Sequence, residues 1–267
     1  MQIHPTAVVH PKAELGPDVE VGPYCVIGEH VRIGRSTRLV SHVVVDGWTE
    51  IGERCTVWPF ASIGTPPQHL HYKGEPTRVV IGHDNVLREY VTVNRATVEG
   101  GGLTKLGNMN FLMAYSHIAH DCLLGSHIIM ANSANLAGHI IIGDHAVIGG
   151  LAGIHQYVRI GDYAMVGGCA AVAQDVPPFT RANGDRARLY GLNSIGLRRH
   201  GFSAERIRGL KRAYQILFRS GLRLAEAVKQ VKEEFKDQQD VMALVAFLDG
   251  SKRGACRSAG KDEENEE

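Results

Sequence analysis

The chain has 267 residues, enough for one elongated domain or two small ones and for a large buried core. Hydrophobic residues make up 44% and charged residues 21%, which is the balance of an ordinary globular protein and excludes a disordered chain. The formal net charge of +1 gives no reason to expect nucleic acid or a membrane surface as a partner, and no apolar run is long enough to cross a bilayer.

A large aliphatic residue returns at every sixth position from the start of the chain. A helix repeats at 3.6 residues and a strand at two, so this period predicts a solenoid of short strands, a parallel β-helix. Three hexads would close one triangular coil, so that residues eighteen apart stack at roughly 4.8 Å. We expect the aliphatic residue and the small residue four places later to point inward, with glycine relieving the corners. The first run consists of Ile3, Val9, Leu15, Val21, Ile27, Ile33, Leu39, Val45, Ile51, Val57 and Ile63.

Two segments interrupt the repeat. Residues 65–78 contain prolines and histidines but no aliphatic residue in register, and residues 94–105 contain three consecutive glycines. The repeat resumes between them, and after the second break it runs from Leu106 to Val172. We predict that both segments are loops extending from a corner of the solenoid, and long loops on a regular scaffold are usually functional.

The repeat ends after Pro177 and Pro178, and a helical pattern follows. Ser203 is a predicted helix N-cap, Gly221 fits a helix end, and further apolar residues at helical spacing predict helices beginning near Leu224 and Val241. The sequence therefore predicts a β-helix over residues 1–190 and a C-terminal helical domain over residues 191–250. Residues 251–267 are polar and end in an acidic run, which predicts a disordered tail.

The cysteines and the N-terminal residues indicate in which cellular compartment the protein is expected. Cys25, Cys55 and Cys122 occupy equivalent places in their hexads, which is typical of small buried residues and not of a disulfide framework. The first residues lack the basic and apolar regions of a signal peptide. We therefore expect a protein of the reducing cytoplasm without stable membrane insertion.

The densest group of reactive side chains is His117-Ile118-Ala119-His120-Asp121-Cys122. With an eighteen-residue stack, Asp121 lies below His139 and His120 lies below Gly138. An imidazole beside a carboxylate is a general base with its orienting partner. Three histidines can equally bind zinc, with His117, His120 and His139 as candidate ligands. The chemistry of these residues leaves both possibilities open.

Several sequence blocks carry a resemblance to a known family. From Ile3 to about Gly254 the chain resembles the UDP-N-acetylglucosamine O-acyltransferases, enzymes with hexapeptide repeats that begin lipid A biosynthesis. Hexads alone would indicate only an acyltransferase-like solenoid. The blocks that are specific to the family are Gly74-Glu75-Pro76-Thr77-Arg78, Gly100-Gly101-Gly102-Leu103-Thr104-Lys105, the histidine block itself, Leu136-Ala137-Gly138-His139, His155-Gln156, Val166-Gly167-Gly168-Cys169 and Gln174-Asp175-Val176-Pro177-Pro178.

The resemblance implies a fold, an assembly and a reaction. The fold is a mainly β, left-handed parallel β-helix with a C-terminal α-helical domain, and the assembly is a homotrimer with active sites between subunits. The reaction moves a (3R)-3-hydroxyacyl group from acyl carrier protein to the 3-hydroxyl of UDP-N-acetylglucosamine, and it consumes no metal or cofactor. By the same resemblance His120 is the general base, Asp121 orients it, and the backbone N–H of Gly138 stabilises the oxyanion.

The resemblance also assigns binding residues. The predicted substrate-binding residues are Gln68, His69, His71, His117, His139, His155, Gln156, Asn193 and Arg199, and the predicted acyl-chain pocket contains Met165 and Gly168. An acidic acyl carrier protein is expected to dock on a basic rim formed by Arg198, Arg199, Arg206, Lys211 and Arg212.

The chain departs from the family pattern at three places. The first loop reads Gln68-His69-Leu70-His71 where Gln-Asp-Leu-Lys is common, His200 replaces an arginine, and Ile195 replaces a residue that is sometimes acidic. The two loop histidines raise the possibility that the acceptor is a 3-amino analogue of the sugar nucleotide.

The N-acyltransferase of the same pathway, which carries an additional N-terminal domain, is a second possible function. A trimeric scaffold without catalysis is a third.

Overall fold

The protein folds as a triangular prism of short strands followed by a small helical domain. The computed structural model describes residues 1–259. Within this range the strands are β1 (Gln2–Ile3), β2 (Val8–Val9), β3 (Glu14–Leu15), β4 (Glu20–Val21), β5 (Val26–Ile27), β6 (Arg32–Ile33), β7 (Arg38–Leu39), β8 (Val44–Val45), β9 (Trp48–Ile51), β10 (Thr56–Val57), β11 (Ser62–Thr65), β12 (Arg78–Ile81), β13 (Val86–Leu87), β14 (Thr92–Asn94), β15 (Leu103–Leu106), β16 (Phe111–Leu112), β17 (His117–Ile118), β18 (Leu123–Leu124), β19 (Ile129–Met130), β20 (Asn135–Leu136), β21 (Ile141–Ile142), β22 (Val147–Ile148), β23 (Gly153–Ile154), β24 (Arg159–Ile160), β25 (Met165–Val166), β26 (Ala171–Val172), β27 (Thr180–Asn183) and β28 (Arg188–Leu192).

Every third strand belongs to the same face of the prism. We call these faces sheet A (β1, β4, β7 and onward to β25, β27 and β28), sheet B (β2, β5, β8 and onward to β26) and sheet C (β3, β6, β9 and onward to β24). Neighbouring coils pair in parallel at the predicted offset, as Gln2 with Glu20 and Val8 with Val26. The prediction of a left-handed parallel β-helix with a C-terminal helical domain is confirmed.

The interior of the prism is filled as the hexads predict. From Val21 onward the aliphatic residues are buried, and so are the small or apolar residues four places later, such as Ile128 and Ala134. In the first coil Ile3 is exposed, and Val9 and Leu15 are partly buried. Each fully buried Leu, Ile or Val side chain contributes about 1.5–3 kcal/mol relative to an exposed one. The stacked hydrophobic layers therefore hold consecutive coils together and fix the positions of the corners.

The prediction that glycine relieves the corners is wrong for most of them. Most corners carry a non-glycine residue at positive φ, among them Asp121 and His139, each at 62°, whereas Gly47, at 63°, forms the corner between β8 and β9. The hexad glycines lie before the corner, where two coils approach closely: a Cβ at Gly22 would stand 1.7 Å from the Val40 carbonyl oxygen. Glycine is needed there because the adjacent backbone occupies the space of a side chain.

The two interruptions are loops at one corner, as predicted. Residues 66–77, the first loop, connect β11 to β12, and residues 95–102, the second loop, connect β14 to β15. Both loops leave sheet B and return to sheet C. They therefore project beside the turn that carries His120 and Asp121, because this turn also connects sheet B to sheet C.

A hairpin and four helices follow the prism. The helices are α1 (Ser194–Arg199), α2 (Ala204–Arg219), α3 (Leu224–Glu234) and α4 (Gln239–Asp249). The Arg206 N–H donates to Ser203 Oγ at 3.2 Å, which confirms the predicted N-cap of α2. The sequence did not reveal the antiparallel β27–β28 hairpin or α1, and both are short elements without a clear period.

The predicted disorder of residues 251–267 is wrong for residues 251–259, which we call the C-terminal strap. The strap pairs with the last coil and with β28, since the Cys256 N–H donates to the Asp175 carbonyl at 2.8 Å and the Leu189 N–H donates to the Arg257 carbonyl at 2.8 Å. Backbone donors and acceptors outside the strap pair with those of this polar segment, so it does not need a hydrophobic core of its own. Residues 260–267 lie outside the described residues.

None of the helices within residues 1–259 combines the length and the apolar character that a membrane span requires. All five cysteines are free thiols; four are buried, including Cys25, Cys55 and Cys122, and Cys169 is exposed.

Candidate active site

A buried histidine–aspartate pair occupies the turn between β17 and β18. His120 Nδ1 lies 2.7 Å from Asp121 Oδ2, and the side chains are 13% and 1% exposed. A carboxylate at this distance holds the proton on Nδ1 and leaves the Nε2 lone pair of a neutral ring available. The pair therefore has the arrangement of a general base and its orienting group.

The second loop and the strand that follows it, β15, hold Asp121 in place. The Thr97 hydroxyl donates to Asp121 Oδ2 at 2.7 Å, the Thr97 N–H donates to Oδ1 at 3.0 Å, and the Asp121 N–H donates to Thr104 Oγ1 at 2.8 Å. Burial raises the pKa of Asp121, but the hydrogen bonds from His120 and Thr97 outweigh it and the pKa falls below its usual value. Asp121 is therefore ionised at neutral pH. The sequence showed the pair but not its contacts with Thr97, in the second loop, or with Thr104, in β15, since no periodic signal marks a contact to or beside a loop.

Gly138 lies one coil above His120. A Cβ at Gly138 would stand 2.6 Å from His120 Cε1, so only glycine leaves room for the imidazole. In the part of the chain that the structure describes, the Gly138 N–H donates to no protein acceptor. In other hexads the equivalent position is proline, at Pro17, Pro23 and Pro59. Because proline has no backbone N–H, the fold does not need a hydrogen bond from the N–H at this position. It is therefore free to donate to a ligand beside His120.

Two further predicted residues join this corner. The His139 ring lies edge-on to His120 with centroids 5.1 Å apart, and its Nε2 is 3.8 Å from Asp121 Oδ2. His117 Nδ1 is 2.7 Å from Thr92 Oγ1. Burial lowers the pKa of both His139 and His117, so both rings are neutral at neutral pH and can accept or donate hydrogen bonds.

The first loop brings its histidines to the same corner. The His69 ring lies edge-on to His120, with centroids 5.4 Å apart, and His71 packs against His69 at 5.7 Å. Gln68 and His71 are exposed on the loop beside them. These three predicted substrate-binding residues therefore lie on the loop that reaches His120.

A groove of about 920 Å³ begins at His117 and runs along the outer face of sheet B. The floor is formed by small and aliphatic residues such as Ala137, Ile154 and Ala171, and the β27–β28 turn and the C-terminal strap form its side. His155 lines this groove, while Gln156 is exposed next to it. A mostly apolar groove that ends beside a general base is suited to an alkyl chain with its reactive group at the base.

The remaining predicted residues lie elsewhere on the same chain. Met165 and Gly168 are on sheet A and at the corner between sheets A and B. Asn193 caps α1 at the corner between sheets C and A, accepting from the Gly196 N–H at 3.2 Å and donating to the Tyr163 carbonyl at 3.0 Å, and Arg199 is exposed at the end of α1. One copy of the chain therefore does not bring these four residues to His120.

The zinc hypothesis has a partial geometric basis. His120, Asp121 and His139 each offer a ligand atom within 4.8 Å of the others. Both Asp121 oxygens, however, already accept hydrogen bonds from Thr97, and Oδ2 also faces His120 Nδ1. A carboxylate with its acceptor positions occupied by protein donors is better suited to orient an imidazole than to bind a cation.

Cys122 follows the pair directly but is not equipped to act as a nucleophile. Burial raises the pKa of its thiol to about 12, and the S–H donates to the Ala137 carbonyl at 3.2 Å. The thiol is therefore protonated at neutral pH, and only a thiolate attacks acyl groups well.

Residues 175–256 match the family model described as "Udp N-acetylglucosamine O-acyltransferase; Domain 2", and residues 1–100 match the one described as "GMPPB C-terminal domain". The chain is similar to two curated proteins named acyl-[acyl-carrier-protein]--UDP-N-acetylglucosamine O-acyltransferase. The protein from Thermodesulfovibrio yellowstonii is 57% identical over 256 residues, which are 96% of this chain and 99% of that protein. The protein from Syntrophobacter fumaroxidans is 49% identical over 258 residues, 96% of this chain and 100% of that protein.

The chain is also similar to solved structures of acyltransferases from this family. LpxA from Acinetobacter baumannii superposes with a TM-score of 0.94 at 44% identity, covering 96% of this chain and 100% of that one. UDP-N-acetylglucosamine O-acyltransferase (LpxA) from Moraxella catarrhalis superposes with a TM-score of 0.94 at 41% identity, with the same coverage.

Proposed function

The chain belongs to the UDP-N-acetylglucosamine O-acyltransferase family, and we propose that it transfers a (3R)-3-hydroxyacyl group from acyl carrier protein to the sugar 3-hydroxyl of UDP-N-acetylglucosamine, the first step of lipid A biosynthesis. The observation that carries the proposal is the ionised Asp121 holding His120 directly below the free N–H of Gly138. The relatives' shared O-acyltransferase name favours this reaction over N-acyl transfer and over a 3-amino acceptor.

The mechanism follows from these three groups. His120 Nε2 takes the proton of the sugar 3-hydroxyl as that oxygen attacks the thioester carbonyl, and Asp121 stabilises the imidazolium that forms. The negative carbonyl oxygen accepts from the Gly138 N–H. Collapse of the tetrahedral intermediate breaks the C–S bond, the imidazolium returns its proton to the leaving sulfur, and the products are the ester and the free thiol of acyl carrier protein.

The active assembly in this proposal is a homotrimer in the cytoplasm. Residues assigned to one pair of substrates lie at three different corners of a single prism: His120 between sheets B and C, Gly168 between A and B, and Asn193 between C and A. A cleft between adjacent copies can bring residues from different corners together, which one copy cannot. Five free cysteines are in keeping with a reducing compartment.

The proposed function is tested by analysing the product of the purified protein. With (3R)-3-hydroxyacyl-acyl carrier protein and UDP-N-acetylglucosamine, we expect a mono-acylated sugar nucleotide whose acyl group is released by mild base, as expected for an ester. A base-stable product would indicate an amide and the N-acyltransferase reaction. No turnover with any sugar nucleotide would favour the trimeric scaffold without catalysis.

Gly168→Met is expected to shift the donor preference toward shorter acyl chains. The proposal places Gly168 at the far end of the acyl pocket, and a Cβ there meets only the Gly150 carbonyl oxygen at 3.4 Å, an ordinary contact, so a side chain can start at this position without distorting the coil. Each CH₂ that can no longer be buried costs about 0.8 kcal/mol. Competition between donors of different length measures the shift. An unchanged preference would place the length-determining residue elsewhere.

Docking of acyl carrier protein is expected to weaken with salt and to depend on part of the basic rim only. Arg206 is paired with Asp240 at 2.7 Å and Arg212 with Glu234 at 2.6 Å, whereas Arg198, Arg199 and Lys211 have no carboxylate partner within the described residues. Reversing the charge of Arg198 or Lys211 should therefore raise the KM for acyl carrier protein, most strongly at low ionic strength. A KM that ignores both ionic strength and these substitutions would contradict the proposed surface.

We also propose that the reaction needs no metal or other cofactor, since the His120–Asp121–Gly138 arrangement supplies each proton transfer and the oxyanion contact. Incubation with 1,10-phenanthroline followed by gel filtration should leave kcat within about twofold of the untreated protein, less than the tenfold change that 1.4 kcal/mol produces. Loss of activity that zinc restores would instead favour a metal on His120, Asp121 and His139.

A further inference from the structure

Arg95, at the start of the second loop, is buried without an acidic partner. Arg95 is 8% exposed, and no carboxylate of the described residues lies within ion-pair distance of its guanidinium group. The guanidinium instead donates from Nη1 to the Gly64 carbonyl at 3.0 Å and from Nε to the Tyr72 hydroxyl at 2.8 Å. A buried charge that meets only neutral acceptors is unfavourable for folding. A contribution to stability therefore does not explain why an arginine occupies this position.

The acceptors of Arg95 lie at the entrance of the first loop and in its middle. Gly64 belongs to the strand that enters this loop, and Tyr72 lies in the middle of the loop. The Arg95 N–H also donates to the Thr65 carbonyl at 3.1 Å, and Asn94 Nδ2 donates to the Pro66 carbonyl at 3.1 Å. The beginning of the second loop therefore holds the entrance and the middle of the first.

The contact continues from Tyr72 to the catalytic corner. The Tyr72 hydroxyl donates to the Glu75 carbonyl at 2.6 Å, and the Tyr72 N–H donates to the His69 carbonyl at 3.1 Å, which closes a tight turn. His69 is the loop residue whose ring packs edge-on against His120. Fixing Tyr72 thus fixes the position of His69 over the base.

We propose that Arg95 and Tyr72 form a clamp that positions the first loop for binding the sugar nucleotide. The clamp is distinct from the contacts that orient the base, because Asp121 is held by Thr97 and Thr104 and not by Arg95 or Tyr72. Arg95 and Tyr72 are positioning residues that act through His69 and its neighbours. The proposal rests on the proposed function of this site and adds the residues that set its affinity for the acceptor.

Tyr72→Phe tests the clamp with the smallest change. It keeps the ring, whose centroid is 5.5 Å from the Arg95 guanidinium carbon, and removes only the hydroxyl that accepts from Arg95 and donates to Glu75. We expect the KM for UDP-N-acetylglucosamine to rise about tenfold, equivalent to ~1.4 kcal/mol, with the KM for acyl carrier protein and kcat within about twofold of wild type. Arg95→Lys should behave similarly, because an ammonium lacks the planar fork that reaches both acceptors.

Tyr115→Phe is the matched control. Tyr115 is an exposed tyrosine on another corner, and its hydroxyl makes no hydrogen bond within residues 1–259. This variant should retain wild-type constants. An acceptor KM that is unchanged in Tyr72→Phe would overturn the proposal, and so would an equal rise in the donor KM or a fall in kcat alone.

A second measurement tests the clamp without any activity. Lys73 is exposed next to Tyr72, so trypsin should cut the first loop there about tenfold faster in Tyr72→Phe and in Arg95→Lys, since cleavage follows the population of the open loop. Tyr115→Phe should be cut at the wild-type rate. Faster cleavage together with no acylation of UDP-N-acetylglucosamine by wild type would refute the proposed function and retain the clamp. Equal cleavage rates would refute the clamp.

Discussion

His120→Ala should lower kcat by roughly 10²–10⁴, the range expected when a general base is removed, and leave the protein folded. The imidazole projects from a corner and is not among the residues that fill the prism, so its loss opens no cavity in the core. Steady-state transfer to UDP-N-acetylglucosamine measures the loss, and the thermal transition checks the fold.

The control for His120→Ala is His10→Ala, at a corner near the start of the prism. The only hydrogen bond of the His10 ring within residues 1–259 is the one that it accepts from the Lys12 N–H at 3.2 Å. This variant should transfer at the wild-type rate. If His120→Ala also transferred at that rate, another group would have to be the base.

Gly138→Ala is the second substitution for which we expect a large effect. The added methyl group would lie within 2.6–3.1 Å of three atoms of the His120 ring, so either the imidazole or the coil must move. Displacing the base and the oxyanion donor together should lower kcat by at least 10²–10³, the range seen for removal of one such donor. Overpacking of this kind should also lower the free energy of unfolding by about 1–3 kcal/mol.

The double variant His120→Ala, Gly138→Ala separates these effects. Without the imidazole the new methyl group has space, so its destabilising effect should disappear in the His120→Ala background. Chemical denaturation of the four proteins of this cycle measures the coupling. Equal destabilisation in both backgrounds would mean that the collision is with the coil and that Gly138 is needed for the fold.

The regular part of the fold could be predicted because it repeats. A six-residue period determines which side chains point inward, and the buried aliphatic residues follow it closely. The period does not determine whether the β-helix is left-handed or right-handed. The left-handed coil was predicted from the resemblance to the acyltransferase family. It also led to an incorrect role for the hexad glycines, since the close approach that excludes a side chain is between coils eighteen residues apart.

The candidate site was predicted in part for the same reason. His120, Asp121, Gly138 and His139 stack as the period requires, and their contacts follow. Contacts from the loops have no period, so Thr97, Arg95 and Tyr72 could not be assigned roles from the sequence. The strap was misjudged because its polar composition suggested disorder, whereas its order depends on hydrogen bonds to Asp175 and Leu189.

The non-glycine corners have a consequence for how such a protein can evolve. Holding a non-glycine residue in the left-handed region of φ and ψ costs roughly 1–2 kcal/mol, and the cost is higher for a residue that is branched at Cβ. No corner residue at positive φ within residues 1–259 is Val, Ile or Thr, while Asp, His, Tyr, Ser, Arg, Phe, Met, Leu and Cys all occur there. Chemically diverse side chains can therefore be exchanged at the outer edge without disturbing the interior. Asp121 and His139 are two such positions, so a single substitution at a neighbouring coil could place a new functional group within reach of the same site.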